Sequence, residues 1–108
     1  MEKMYMDPYT GDIHPESYYR RENIDLDCVI EAHKMPDGIV FDINPENIER
    51  MEFKDIAVIE LIANFTRTLA LHAMETDDPE EAEHCGSVAA YISRIMMEKL
   101  LGKKIPKH

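Results

Sequence analysis

The sequence is short of positive charge. Twelve Lys and Arg stand against 22 Asp and Glu in 108 residues, a formal net charge of -10. A surface of that sign repels phosphates, which argues against a direct grip on nucleic acid or anionic lipid. Cysteine is scarce as well. Cys28 and Cys85 lie far apart in apolar surroundings. They form neither a metal-type pair nor a disulfide framework, and they read as free thiols of a cytoplasmic protein. Glycine-rich phosphate loops, the Gly-x-Ser-x-Gly elbow and the Walker pattern are all missing, so no enzyme signature is present. No apolar run follows Met1-Glu2-Lys3-Met4, and a secretory signal is not expected. Glu60 and Asn64 interrupt the longest apolar stretch, so neither a membrane span nor a membrane partner is expected.

What is present is the material of one small acidic domain. At 108 residues and 44% apolar content the chain can build a single core. The dominant stretch is Asp55 to Leu101. From Asp55 to Glu75 there is no Pro and no Gly. Ile56, Ile59, Ile62, Ala63, Phe65, Leu69, Ala70, Ala73 and Met74 recur at helical spacing. Leu61 and Leu71 fall near the polar edge formed by Glu60, Asn64, Arg67, Thr68 and Glu75. A helix apolar over so much of its circumference needs cover on more than one side, and a homodimer through the helices is the expectation.

Thr76-Asp77-Asp78-Pro79 then reads as a tight turn. Asp78 is a suitable N-cap, Pro79 fits the first helical position, and Glu81 completes a capping-box pattern. The second helix is predicted to end at Leu101 before Gly102. Its buried stripe is expected to be Cys85, Val88, Ala89, Ile92, Met96 and Leu100.

Upstream, residues 1–23 form an arm. Asp7-Pro8-Tyr9-Thr10-Gly11-Asp12 is turn chemistry between Tyr5 and Ile13, enough to close a small hairpin. A short helix is expected after Pro15. Tyr5, Tyr9, Tyr18 and Tyr19 are expected to cover the core of this same chain in preference to a partner. Residues 24–43 read as a β-hairpin, with alternation from Leu26 to Ala32 and from Ile39 to Ile43 and a turn at Met35-Pro36-Asp37-Gly38. Two strands alone are marginal, so a third is expected from the arm or from a second subunit. Residues 44–101 are helical, beginning with Asn44 as cap and Pro45 after it; a break near Asp55 is favoured. Residues 102–108 form a basic tail suited to the acidic turn of another subunit packed antiparallel. The fold class is therefore α+β, with an N-terminal arm and β-hairpin packed on a C-terminal helical hairpin of two to three helices.

Two constellations carry functional ideas. Glu75, Asp77, Asp78, Glu80, Glu81 and Glu83 are six acids within nine residues with no Lys or Arg between them. Aligned on one face, such carboxylates can stand in for phosphates against a Lys/Arg groove. This leads to the main expectation: a non-enzymatic protein-interaction module, a regulator or inhibitor of the nucleic-acid-mimic kind found in phages, docking on a basic surface of a partner protein. The second constellation is His72 with Glu75 and Glu81 with His84, each pair three residues apart on a helix. Two imidazoles and two carboxylates suit zinc, iron or manganese, so a metal-binding or small metal-dependent catalytic protein is the alternative. A homodimer binding a small ligand is the third possibility.

Overall fold

A computed structural model of the chain describes residues 2–102. Of the basic tail, residues beyond Gly102 lie outside the described residues. The architecture is α+β: a four-stranded antiparallel sheet followed by a helical hairpin. The chain divides into two compact units, Met1–Val58 and Ile59–His108.

In the first unit the strands are β1 (Met4–Met6), β2 (Ile13–Pro15), β3 (Ile30–Met35) and β4 (Gly38–Asp42), in the order β2-β1-β3-β4. The arm thus supplies two strands. The turn between them is held by local side-chain chemistry: the Tyr9 amide donates to Asp7 Oδ1 at 2.8 Å, and the Gly11 amide to the Asp7 carbonyl at 2.7 Å. Gly11 sits at φ +81°, a conformation that favours glycine, and a Cβ there would also crowd the Asp55 carboxylate at 3.2 Å. β1 takes a central place, with Tyr5 opposite His14 on one side and Glu31 on the other. β3 and β4 turn through Pro36 and Asp37, and Met35 pairs with Gly38. Gly38 adopts φ +145°.

The short helix α1 (Glu16–Arg21) follows β2 directly, with Pro15 in its cap position. It carries Tyr19 into a cluster with Tyr5 and Val29, with Tyr18, Ile24 and Leu26 around them. The Tyr5 and Tyr19 rings meet edge to face, 6.0 Å between centroids, and His14 stacks on Tyr18 at 3.8 Å. The tyrosines of the arm therefore divide. Tyr5 and Tyr19 are core, Tyr18 is half-buried, and Tyr9 is exposed.

One expectation for the hairpin region is corrected. Leu26–Cys28 is a 3-10 turn, not the start of a strand. The Asp25 side chain accepts from the Asp27 amide at 2.9 Å and the Cys28 amide donates to the Asp25 carbonyl at 3.0 Å. This aspartate turn competes successfully with extension, and pairing begins only at Ile30. A second 3-10 stretch, Pro45–Arg50, is capped by Asn44 through the Glu46 amide as expected and buries Ile48. The chain then breaks before helix α2 (Ile56–Glu75), where Asp55 Oδ1 accepts from the Val58 amide at 3.2 Å.

The second unit is a hairpin of α2 and α3 (Pro79–Leu101). Cys85, Ala89, Ile92 and Met96 recur every three or four residues and are buried, as is Ile62 on α2. Gly86 lies against Ala73, where an added Cβ would stand 4.0 Å from that of the alanine. Gly102 ends α3 at φ 66°, the left-handed cap that glycine takes at least cost. Two expectations fail. Leu100 is 51% exposed and does not complete the buried stripe. The capping box does not form, because Glu81 reaches back to α2 instead; the Asp78 amide donates to Thr76 Oγ1 at 3.3 Å.

The exposure of α2 is its main oddity. Its most apolar 18-residue window has mean hydropathy 1.3, yet 11% of that window is buried. Ile56 is 73% exposed and Met74 82%. By length and composition alone α2 is sufficient to cross a membrane; core helices of soluble proteins meet the same test.

Candidate functional site

The closed end of the helical hairpin concentrates the acidic residues. Glu75 closes α2; Asp77 and Asp78 form the link; Glu80, Glu81 and Glu83 occupy the first turns of α3. All six are exposed. Their positions follow from helix chemistry. Asp78 Oδ1 accepts from the Glu80 amide at 3.0 Å, capping α3. The positive end of α3 stabilises Glu80 and Glu81. Glu75 has no such support, since it sits at the negative end of α2.

One interaction ties the two helices at this end. His72 Nε2 and Glu81 Oε1 lie 2.7 Å apart, with both side chains about half exposed. Thr76 Oγ1 donates to the other Glu81 oxygen at 3.3 Å. The hydrogen bond from His72, and then its charge, hold the Glu81 carboxyl below its ordinary pKa. Glu81 and Asp78 thus have structural work, and Asp77, Glu80 and Glu83 are left to face outward contacts.

Of the four residues expected to bind a metal, the structure brings His72 and Glu81 together; Glu75 and His84 are both exposed. A different set of ligand atoms gathers in the first unit. Atoms of Glu31, His33 and Asp42 all lie within 4.8 Å of one another. Glu31 stands directly opposite Asp42 across β3 and β4, and His33 is two residues further along the same face. Sequence reasoning placed Glu31 and His33 on one polar strand face but had no register to add Asp42. Lys3 Nζ already lies 3.5 Å from Glu31 Oε1, and His33 Nε2 is at the same distance. An ammonium therefore offsets the paired carboxylates, and this set is adequately explained as a surface ion cluster.

A third feature is an apolar groove between α2 and α3 of about 450 Å³, lined by Ile59, Ile62, Ala63, Ala70, Met96 and Leu100 among others. Arg67 stands at its margin with Nη2 3.4 Å from Asn64 Oδ1. Neither cysteine has the setting of a nucleophile. Cys85 is buried, and burial followed by the Asp25 charge raises the Cys28 thiol pKa, which disfavours the reactive thiolate. Set against models of protein families, curated proteins and solved structures, the chain matches none.

Proposed function

We propose that this chain is a non-enzymatic acidic interaction module, a regulator or inhibitor that docks the closed end of its helical hairpin on a basic surface of a partner protein. The observation that carries the reading is the exposure of all six carboxylates on one turn whose backbone is fixed by two helix ends. A fixed backbone spares part of the ordering cost when these acids meet a Lys/Arg groove, and their carboxylates present charge where phosphates would otherwise sit. Two free cysteines suit work in the reducing cytoplasm. The test is reversal of the acids without structural duties, Asp77→Lys, Glu80→Lys and Glu83→Lys together. Wild-type chain immobilised in a cell extract should capture a basic protein that the triple variant loses, with binding reduced at least tenfold and the helical circular dichroism unchanged. Equal capture by the variant would reject this end as the docking site.

A second reading is supported by the 2.7 Å approach of His72 to Glu81. Here the hairpin end binds zinc, iron or manganese through His72, Glu81 and, after rotamer changes, Glu75 or His84. Native mass spectrometry of untagged protein titrated with each metal tests it: a stoichiometric adduct lost in His72→Ala supports the metal centre. Unmetallated protein at excess metal removes it.

A further inference from the structure

The groove and the exposed face of α2 have a geometry that fits one occupant. Glu60 and Arg67 are both exposed on α2 and lie seven residues apart, two helical turns, so they share one stripe of the helix. Between and beyond them on that side lie Ala63 and Ala70, small residues in the groove wall that let another helix come close. Ile56, at 73%, and Leu71, at 49%, are exposed toward the two ends of the helix. This arrangement complements itself when reversed. An antiparallel copy of α2, turned about a point between Ala63 and Asn64, sets Glu60 against Arg67, Arg67 against Glu60, and Ile56 against Leu71.

We infer that a second copy of this chain covers the groove between α2 and α3, the two α2 helices running antiparallel about a twofold axis beside Ala63 and Asn64, with Glu60 of each copy facing Arg67 of the other. The two hairpins then make a four-helix assembly. Its size is adequate. Two helices about 30 Å long and about 10 Å wide present roughly 600 Å² per copy, close to the roughly 800 Å² per partner of a standard interface. The acidic ends project at opposite extremes of the assembly, so the inference is independent of the docking reading and stands or falls separately.

The charge pattern gives a test specific to this orientation, read by sedimentation equilibrium of the full chain with circular dichroism as the folding control. Wild type is expected to dimerise at micromolar concentration. Glu60→Arg alone places arginine against Arg67 twice, and Arg67→Glu alone places glutamate against Glu60 twice. Each should weaken the dimer about tenfold or more while remaining folded, since both side chains are exposed. The double variant should recover wild-type association. So should an equimolar mixture of the two single variants, because one chain then carries two arginines and the other two glutamates at the facing positions. A parallel dimer sets like against like at both positions in the wild type and in each single variant, and a dimer on another face does not involve them. In either case the single substitutions do not weaken association, and that result overturns the inference. So does a chain that stays monomeric at every concentration, including one that instead binds neutral phosphatidylcholine vesicles, which would give the apolar face to lipid.

Discussion

The Tyr19 hydroxyl donates to the Tyr5 carbonyl at 2.8 Å, in a side chain with no exposed surface. That bond ties α1 to the central strand, where β1 is already committed to β2 and β3. Burial, and secondarily the Asp7 charge, push the Tyr19 pKa up to about 12. The sign of the pH effect follows. The fold favours the protonated phenol, whose ordinary pKa is 10.0. Its contribution is therefore complete below that value and declines as pH rises from there toward about 12. Tyr19→Phe removes this titration, so the alkaline decline in unfolding free energy should become shallower. At neutral pH the same variant should lose about 1–2 kcal/mol, because the Tyr5 carbonyl is left without its buried donor. Denaturant titrations of both proteins at neutral and alkaline pH check the two parts. A neutral-pH loss without the alkaline difference would mean that Tyr19 is hydrated in the fold.

At the scale of elements, what could be read from the sequence was whatever local chemistry dictates. Asp55 capping α2, Asp78 and Pro79 opening α3, Gly102 closing it and the Pro36-Asp37 turn are each decided within a few residues. The arm hairpin was equally legible, because Asp7 and Gly11 make the turn by themselves. The order β2-β1-β3-β4 was not, since it depends on Tyr5 facing Glu31 across 25 intervening residues of unrelated structure. Leu26–Cys28 misled because its alternating pattern fits a strand, while the Asp25 side chain offers the backbone a nearer partner. The site behaved likewise. Six acids on one turn were countable, but the competition for Glu81 was not: a capping box needs it at the Asp78 amide, and His72 holds it at 2.7 Å. Strand alternation put Glu31 and His33 on one face but did not join them to a ligand set, because only the register of β3 and β4 brings Asp42 to them. For α2 the periodicity correctly announced too much apolar surface for one side, yet spacing measures how much must be covered and not what covers it.

At the scale of the whole molecule the two proposed associations place opposite demands on charge. Docking on a basic partner draws on the net charge of -10 at long range. Self-association must overcome it, since each copy approaches another of the same sign. Salt separates the two. At about 0.1 M ionic strength charges are screened beyond roughly 10 Å, which reaches the dispersed surface acids more effectively than groups in direct contact. Raising salt from about 50 mM to about 500 mM should therefore tighten the dimer, because the loss of general repulsion outweighs the weakening of two Glu60–Arg67 contacts. The same change should loosen the docked complex, because salt screens the attraction that holds it. Sedimentation equilibrium on the chain alone, and binding to the captured partner across the same salt series, should give slopes of opposite sign. A dimer that loosens steeply with salt would mean that opposed charges hold the copies together and that the exposed apolar face of α2 has some other occupant.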